Sequence, residues 1–513
     1  VYMKILMLSW EYPPRIVGGI ARVVGELSKR LAMEGHDVTV VTYREENMPY
    51  YMKEESGVKV YCVDNYMIRP NNFIEWIMQL NFNMVAKVNE LVLKGEKFDA
   101  HDYAEKAVEQ GCVALVVERE LPIAVPQIIV ADTRLALGEL AKWLKSTLNP
   151  KTVAMTGSSG KTTVKEMTAK ILQKTAACEE DVLYTFGNLN NDLGVPMTLL
   201  RLTEQHKFAV IELGANHIGE IAYTTTIAQP DACLVNNVAS AHLEGFGSIE
   251  GVAAAKGEIY RGLKENGKAI INQAFYYPQW RKEIGDHELQ SFSYTGSDQD
   301  SYADFWAENV SLNLNGSTFI LHAFEGEIEI NLPYLGAHNV SNALAATALA
   351  MAVGASLADV KAGLEQRSQV KGRLYPVEIN EHCLLIDDTY NANVDSMKSA
   401  ISVLKNYPAF RIFAVGDMAE LGNESAQCHQ EVADFAQQAG LDLIVSFGKE
   451  SAVISANAQH HFTDKQTMSD FLLPIISQKI AEKQPLVLLA KGSRSQKMET
   501  LIADLCRAFH IQF

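Results

Sequence analysis

The sequence predicts an α/β protein in which buried, mostly parallel strands alternate with helices. Three observations predict this fold class. A strand–helix–strand pattern opens the chain, a glycine-rich loop joins a strand to a helix near residue 157, and several later apolar runs end in clusters of polar residues. At 513 residues the chain is long enough for about three domains.

The N-terminal segment predicts a Rossmann-like βαβ unit. Helical spacing of apolar residues runs through Gly19–Met33 and ends at Gly35. A second helical stretch is expected at about 72–93. The β-rich apolar runs of this segment are Lys4–Ser9, 38–42 and 58–63.

A phosphate-binding loop is predicted at residues 155–163, which read M-T-G-S-S-G-K-T-T between an apolar run and a helical pattern. Gly157 and Gly160 allow a tight backbone whose N–H groups face an anion, and the following helix adds its positive dipole end. Lys161 can reach the β- and γ-phosphates, and the Thr162 hydroxyl can hold Mg²⁺. Met155 departs from the usual pattern, which has glycine at that position.

The remaining elements follow from periodicity. We expect short strands at 114–117 and 127–130, a helix at 136–146, a hinge at Asn149 and Pro150, a β-hairpin insert at about 301–330 and a core helix at 343–357. We divide the chain into four parts: the βαβ segment at 1–98, a short segment with its linker at 99–150, a nucleotide-binding domain at 151–368 and a Rossmann-like C-terminal domain at 369–513. Further strands are expected at 208–213, 232–236, 383–386, 411–415, 443–447 and 486–489.

Two residues after the loop, Glu212 and His242, are candidates for a metal site, and a third, Lys256, is a candidate functional residue. Glu212 ends a strand, so it should face the ligand crevice of a parallel sheet and complete a Mg²⁺ site with Thr162. His242 follows the next strand, and Lys256 lies in the small-residue run A-A-A-K-G-E. The alternatives are a carboxylate that caps a helix, a structural histidine and a solvated helix lysine.

Several amide-rich and acidic loops suit a polar substrate. Asn190 and Asn191 lie in G-N-L-N-N-D-L-G-V-P, Asn339 opens the Ala-rich helix, and D-D-T-Y-N-A-N follows a buried strand. Asn side chains both donate and accept hydrogen bonds, although an Asx-rich loop or a helix cap would use them locally. The acidic loop contributes the candidate substrate ligands Asp388, Tyr390, Asn391 and Asn393.

Cations are expected at three further positions. Lys491 and Arg494, in K-G-S-R, follow another strand and could meet a carboxylate or phosphate. Arg373 lies beside Gly372 at the expected hinge before the last domain, where it could reach a γ-phosphate as the domains close.

Composition excludes several classes of protein. The net charge of −17 argues against a nucleic-acid or anionic-membrane partner. The seven cysteines lack C-x-x-C spacing, which is typical of reduced thiols in a cytoplasmic protein and not of a zinc site. The apolar runs are too short for a secretory signal or a membrane span. The oligomeric state stays open, with a monomer as the simplest expectation.

From about Gly95 to the end, the chain resembles the Mur ligase family. The motifs T-G-S-S-G-K-T-T, G-N-L-N-N-D-x-G-x-P, E-L-G-A-N, A-H-L-E-G-F-G, A-K-G-E, G-x-H-N-x-x-N, D-D-T-Y-N-A-N and K-G-S-R occur in the family's order. The resemblance implies a three-domain α/β architecture and an ATP-dependent amide ligase of peptidoglycan synthesis. Its substrates would be UDP-N-acetylmuramoyl-tripeptide and D-alanyl-D-alanine, joined through an acyl phosphate.

The resemblance also implies roles for individual residues. Lys161, Lys256, His242 and Arg373 would be catalytic, and Thr162, Glu212, His242 and a carbamylated Lys256 would hold Mg²⁺. Asp388, Asn391 and Asn393 would bind the dipeptide, with Asn190, Asn191, Tyr390, Lys491 and Arg494 as further substrate contacts. ATP would contact Thr156, Gly157, Ser158, Ser159, Gly160, Lys161, Thr162 and Thr163, and Asn339 would contact adenine.

The N-terminal segment, residues 3 to about 98, resembles a different family. M-K-I-L-M-L-S-W-E-Y-P-P, V-G-G and E-G-H-D-V-T-V are similar to the N-terminal half of a GT-B glycosyltransferase of the glycogen-synthase type. We interpret the chain as a chimera, natural or made, joined near K-G-E-K-F-D at 94–99. Most of the Mur domain that grips the uridine diphosphate is therefore replaced, which puts recognition of that substrate in doubt.

Three alternative functions follow. A glycosyltransferase would need a second nucleotide-sugar-binding domain, and the rest of the chain is Mur-like instead. The chain could be an ATP-binding protein with impaired ligase activity because its first domain is replaced. Folylpolyglutamate synthase belongs to the same superfamily, but D-D-T-Y-N-A-N and G-N-L-N-N favour the dipeptide-adding branch.

Overall fold

The protein is described by a computed structural model. It describes residues 4–9, 19–43, 51–54, 56–63, 101, 104–109, 114–239, 246–294, 303–366, 370–511 and 513. The chain forms two compact units, Val1–Ala131 and Asp132–Phe513. The helix expected at about 72–93 lies outside the described residues.

The first unit contains the predicted βαβ pattern. Strands β1 and β2 pair in parallel, as do β2 and β4, and the sheet order is β1-β2-β4-β3. Apolar residues of the helix pack on a core that the sheet supplies, as the helical spacing predicts. The elements are β1 (Lys4–Ser9), α1 (Gly19–Met33), β2 (Asp37–Tyr43), β3 (Tyr51–Lys53) and β4 (Lys59–Val63).

The first unit also contains a short helix and a two-stranded parallel sheet. These elements are α2 (Ala104–Glu109), β5 (Leu115–Val117) and β6 (Gln127–Ile129). The Gln127 side chain accepts a hydrogen bond from the backbone N–H of Leu121 and donates to the carbonyls of Leu121 and Ile123. These bonds close the loop between the two strands. Both predicted strands are confirmed.

The larger sheet of the second unit has nine strands, β7 to β15, whose ranges are given at the end of this paragraph. Their order in the sheet is β15-β14-β13-β12-β11-β10-β7-β9-β8. The β7 strand lies between β10 and β9 and is parallel to both. The predicted hairpin is confirmed and carries a third strand. These three strands are part of the nine-stranded sheet, because β13 pairs in parallel with β12. The strands are β7 (Lys151–Thr156), β8 (Val182–Tyr184), β9 (Phe208–Glu212), β10 (Ala232–Val235), β11 (Lys268–Asn272), β12 (Glu288–Ser293), β13 (Phe305–Asn313), β14 (Gly316–Ala323) and β15 (Gly326–Leu332).

Helices pack against this sheet, and their apolar residues form two cores with those of the strands. The first helix begins at residue 133, three residues before the predicted start, because the Asp132 side chain accepts hydrogen bonds from Arg134 and Leu135 N–H. Lys145 of this helix donates to the Gln229 carbonyl at 2.9 Å, which ties the helix to the sheet domain. The helices are α3 (Thr133–Leu148), α4 (Lys161–Thr175), α5 (Gly194–Leu199), α6 (Glu220–Ala228), α7 (Ile249–Gly257), α8 (Trp280–Ile284), α9 (Ala337–Ala352) and α10 (Leu357–Leu364).

A six-stranded sheet, ordered β16-β17-β21-β18-β19-β20, ends the chain. All its pairs are parallel except β16–β17, so it has the predicted Rossmann-like pattern. Its strands are β16 (Tyr375–Asn380), β17 (Cys383–Asp388), β18 (Phe410–Gly416), β19 (Leu443–Phe447), β20 (His461–Phe462) and β21 (Leu486–Lys491). Its helices are α11 (Val394–Lys405), α12 (Ser425–Ala439), α13 (Ala452–Ser455), α14 (Lys465–Ala481) and α15 (Glu499–Ala508).

Two predictions from composition can be compared with the structure. No helix among the described residues is long and apolar enough to cross a membrane. Cys62, Cys178, Cys233, Cys383, Cys428 and Cys506 are free thiols, as predicted, and Cys112 lies outside the described residues.

Candidate active site

The predicted phosphate loop joins the end of β7 to the start of α4. Gly160 has a φ of 77°, a left-handed conformation that glycine adopts without strain. A Cβ atom at this position would lie 2.6 Å from Asn236 Nδ2 and from Asn342 Oδ1. Glycine is therefore required here by both conformation and space.

Lys161 lies at the first position of α4 and folds back over the loop. Its Nζ donates to the Gly157 carbonyl at 2.6 Å. Burial lowers the pKa of Lys161, the Glu212 charge opposes that shift, and the Arg373 charge adds to it. The ammonium thus lies among loop atoms with an opposite charge nearby, where an anionic ligand would stabilise it.

Glu212 lies at the carboxyl end of β9 and is 2% exposed, and both of its carboxylate oxygens accept hydrogen bonds. Thr162 Oγ1 donates to one of its oxygens at 3.0 Å, and Asn190 Nδ2 donates to the other at 2.8 Å. Arg373 Nη2 donates to the same Thr162 hydroxyl at 2.8 Å. Four predicted site residues from distant parts of the sequence therefore meet at one point.

This donor set fits Mg²⁺. A threonine hydroxyl and a carboxylate are hard oxygen ligands, the type that Mg²⁺ prefers in sites completed by phosphate and water. Within the loop, Thr156 Oγ1 is buried and has no hydrogen-bond partner among the described residues. Among the described residues, no three His, Cys, Asp or Glu side chains form a metal cluster. His242 lies outside the described residues.

Lys256 is buried in α7, with 2% of its surface exposed. The alternative of a solvated helix lysine is therefore wrong. Burial lowers the pKa of Lys256 well below its ordinary value, and the nearby Lys161 charge lowers it further. No described carboxylate lies within ion-pair distance of its Nζ. The side chain is consequently favoured as a neutral amine.

Asn339 lies in the first turn of α9 and is 5% exposed. Its Nδ2 donates to the Leu335 carbonyl at 2.8 Å, and its Oδ1 accepts from Asn342 Nδ2 at 2.9 Å. Asn342 Oδ1 in turn accepts from Asn236 Nδ2 at 2.9 Å. Part of its bonding capacity thus holds the helix start, and its contact with adenine stays a prediction.

Asp388 and Lys491 form an ion pair at the carboxyl ends of the neighbouring strands β17 and β21. Lys491 Nζ lies 2.6 Å from Asp388 Oδ2 and also donates to the Asn391 carbonyl at 3.0 Å. The other Asp388 oxygen accepts from the Leu374 N–H at 3.2 Å. Sequence reasoning treated these two side chains as separate substrate ligands and did not foresee the pair.

Three predicted substrate residues use their side chains locally. Asn191 Oδ1 accepts from the Gly194 N–H, and Asn391 Oδ1 accepts from the Ala392 N–H. Asn393 caps α11 in a capping box with Ser396. The Asn191 contact matches the alternative of an Asx-rich loop, and the local contacts of Asn391 and Asn393 were not foreseen. Substrate contacts by all three residues stay predictions.

Tyr390 and Arg494 are the remaining predicted substrate residues. The Arg373 guanidinium stacks over the Tyr390 ring at 4.2 Å, and burial raises the pKa of Tyr390. The Arg494 side chain is 66% exposed and pairs with Glu499 at 3.0 Å. It lines a small cavity of about 120 Å³ next to Ser158, Asn391 and Asn393.

A single cavity of about 790 Å³ connects the phosphate loop with the Asp388–Lys491 pair. Most of the predicted site residues line it. These are Ser158, Ser159, Gly160, Lys161, Thr163, Asn190, Glu212, Asn339, Arg373, Asp388, Tyr390, Asn391, Asn393 and Lys491.

Sequence reasoning missed Asn236 and Asn237, which follow β10 and contact the phosphate loop. Two consecutive amides after a buried strand were the available signal. His338, quoted only as part of a motif, also lines the cavity. Burial lowers the pKa of His338 to about 4, so its imidazole is neutral near pH 7.

Three protein-family models match the chain. The Mur ligase middle domain matches residues 155–350, and the Mur ligase glutamate ligase domain matches residues 372–494. The starch synthase catalytic domain matches residues 4–106, which confirms the predicted glycosyltransferase resemblance of the N-terminal segment.

Curated relatives and solved structures match the larger part of the chain. A UDP-N-acetylmuramoyl-tripeptide–D-alanyl-D-alanine ligase from Haemophilus influenzae is 61% identical over 80% of this chain and 89% of that protein. The ligase of the same name from Escherichia coli is 50% identical over 81% of this chain and 90% of its own length. A crystal structure of MurF from Acinetobacter baumannii has a TM-score of 0.74 at 41% identity, covering 80% of this chain and 89% of that one. The chain therefore belongs to the Mur ligase family, in the branch whose named members are UDP-N-acetylmuramoyl-tripeptide–D-alanyl-D-alanine ligases.

Proposed function

We propose that this chain is an ATP-dependent ligase that joins D-alanyl-D-alanine to UDP-N-acetylmuramoyl-tripeptide in peptidoglycan synthesis. The observation that carries the proposal is the single cavity lined by both Lys161 of the phosphate loop and the Asp388–Lys491 pair. A phosphoryl donor and a small zwitterionic acceptor can meet there. The names of the similar ligases support the same reaction.

On this proposal the phosphate loop and Lys161 hold ATP, and Arg373 contacts its γ-phosphate. Thr162 and Glu212, with His242 and a carbamylated Lys256, would hold Mg²⁺, and the bound ion would neutralise phosphate charge. The tripeptide carboxylate attacks the γ-phosphorus of ATP, the bond from that phosphorus to the β-phosphate oxygen breaks, and ADP leaves as the acyl phosphate forms. The dipeptide amine then attacks the acyl carbon, and the amide bond replaces the acyl–oxygen bond as phosphate leaves.

The acceptor end of the cavity has charges of both signs for the dipeptide. Asp388 suits the ammonium group, and Lys491 suits the carboxylate. Because these two side chains already pair at 2.6 Å, the dipeptide would exchange that pair for two intermolecular ones. Such an exchange keeps every buried charge partnered, which limits the desolvation cost of binding.

A second function has its own supporting observation. Residues 4–106 match a starch synthase domain, and the Mur models begin at residue 155. In this alternative the chain binds ATP but ligates poorly, because the part that should grip the uridine diphosphate is replaced. Both functions place the chain in the cytoplasm, where its free thiols are expected to stay reduced.

Phosphate release from ATP distinguishes these two functions. We expect release by the full chain to require UDP-N-acetylmuramoyl-tripeptide and D-alanyl-D-alanine together. The product should be the corresponding UDP-linked pentapeptide, identified by mass spectrometry. ATP binding without release in the presence of both substrates would support the impaired alternative. A chain that binds no ATP would contradict both.

Carbamylation of Lys256 gives a second test. A neutral buried amine adds CO₂ to form a carbamate and release a proton, so removing CO₂ should lower activity and bicarbonate should restore it. With isotope-labelled bicarbonate, the carbamate carbon should give an NMR signal that Lys256→Arg lacks. Lys449→Arg serves as the control, because that side chain is 91% exposed and its signal should not change. Equal activity with and without CO₂, and no labelled carbamate, would count against the modification.

A further inference from the structure

Asn237 contacts the phosphate loop with its whole carboxamide. Its Oδ1 accepts from the Ser159 N–H at 2.9 Å, and its Nδ2 donates to the Ser159 carbonyl and hydroxyl, both at 3.1 Å. Its backbone carbonyl accepts from the Ser158 N–H at 3.1 Å. One residue outside the loop therefore binds both serines between the loop glycines.

The neighbours of Asn237 hold the same stretch of loop from other directions. The Ser158 hydroxyl bonds the carbonyl and the N–H of Ala239, at 3.1 and 2.9 Å. Asn236 Nδ2 donates to the Ser159 carbonyl at 3.1 Å, and the Asn236 carbonyl accepts from Asn272 Nδ2 at 2.9 Å. Residues 236–239, which follow β10, are thus bonded both to the loop and to Asn272 of β11.

These contacts divide the N–H groups of the loop into two sets. The N–H groups of Ser158 and Ser159 point to Asn237 and are already bonded. The helix α4 begins at Lys161, so the N–H groups of its first turn have no partner within the helix. A helix N-terminus of this kind is suited to hold an anion.

We propose that Asn237 is a positioning residue for nucleotide binding, which holds the phosphate loop in its binding conformation through Ser158 and Ser159. This inference rests on the proposed binding of ATP. The loop lies between Gly157 and Gly160, and glycines leave a free loop many conformations. By ordering the loop before the nucleotide arrives, Asn237 removes an entropic cost from phosphate binding.

An asparagine is required by the pattern of bonds. Ser159 presents one donor and two acceptors to this side chain, and a carboxamide supplies one acceptor and two donors. Aspartate has the same shape and keeps the acceptor, but it loses both donated bonds. It also brings a negative charge to the lining of the cavity that would hold the phosphates.

Binding of ATP and ADP to the full chain, measured by calorimetry with Mg²⁺, tests the proposal. We expect Asn237→Ala to weaken the binding of both nucleotides about tenfold, which corresponds to about 1.4 kcal/mol. Asn237→Asp should bind more weakly still, because its charge repels the phosphates. Asn457→Ala is the matched control, because Asn457 Oδ1 also accepts a backbone N–H, in an exposed turn. The melting temperature without nucleotide should be close to wild type in all three variants.

Each outcome decides between roles. If Asn237 only stabilised the fold, Asn237→Asp should bind nucleotide more tightly than Asn237→Ala, because aspartate keeps the bond from the Ser159 N–H. That order of affinities would overturn the proposal. ATP affinity of Asn237→Ala equal to wild type would overturn it as well. Where turnover is measurable, KM for ATP should rise while KM for the dipeptide and kcat stay unchanged. Wild-type chain that binds no ATP would instead overturn the proposed function, and this inference with it.

Discussion

Lys161→Met should lower kcat/KM for ATP-dependent phosphate release by about 10²–10³-fold, the range found when one preorganised donor to a developing charge is removed. Its Nζ donates to the Gly157 carbonyl at 2.6 Å, so the ammonium lies at the loop that is proposed to hold the phosphates. Methionine keeps an unbranched apolar side chain of similar length but cannot donate a hydrogen bond. Steady-state phosphate release with both substrates is the measurement.

The control for this prediction is Lys449→Met, which removes one positive charge from a side chain that is 91% exposed. Its phosphate release should match wild type, because exposed charges are screened by solvent. If Lys161→Met also matched wild type, the assignment of the phosphate site would be wrong. The effect should be accompanied by weaker ATP binding, since the ammonium is proposed to contact the nucleotide before and during the reaction.

Arg373→Lys should lower kcat by about 10³-fold, the lower end of the effect of an arginine that stabilises a transferring phosphoryl group. Arg373 donates to Thr162 at 2.8 Å while its guanidinium stacks on Tyr390 at 4.2 Å. Its Nε is buried without a partner in the described part of the chain. A lysine ammonium cannot stack on Tyr390 and cannot present several planar N–H donors at once. Conserving the charge should therefore not restore the rate.

Two measurements distinguish this role from a general loss of structure. Affinity for ADP should change much less than kcat, because Arg373 is proposed to contact the γ-phosphate, which ADP lacks. Arg507→Lys, at a side chain that is 79% exposed, should leave both quantities unchanged. A wild-type kcat for Arg373→Lys would contradict the proposed role, and an equal loss of ADP affinity would indicate a structural one.

Local sequence patterns predicted most of the elements that carry the site. The loop, its flanking strand and its helix follow from glycine spacing and apolar periodicity, which involve neighbours within a few residues. Glu212 and Asp388 were placed at the ligand edge because strands end there and parallel strands share their carboxyl ends. The hairpin at 305–323 was also expected, but its attachment to the nine-stranded sheet was not.

Partnerships between side chains could not be predicted in the same way. Asn237 binds Ser159 across 78 positions, and Arg373 binds Thr162 across 211. Whether Asp388 faces solvent or Lys491, and whether Lys256 is solvated or buried, depends on which strands and helices lie side by side. Asn393 illustrates the same point, because its motif predicted a substrate ligand, whereas the structure shows its side chain capping a helix.

The amino-acid sequence alone predicted the α/β class, the phosphate loop, the two resemblances and most of the candidate site residues that line the cavity. It did so because those features depend on residue type and short spacing. The tertiary structure established the ion pair, the burial of Lys256 and the support of the loop by Asn237. Hydrogen bonds and desolvation act over a few ångströms in space, and distance along the chain carries little information about which groups come that close.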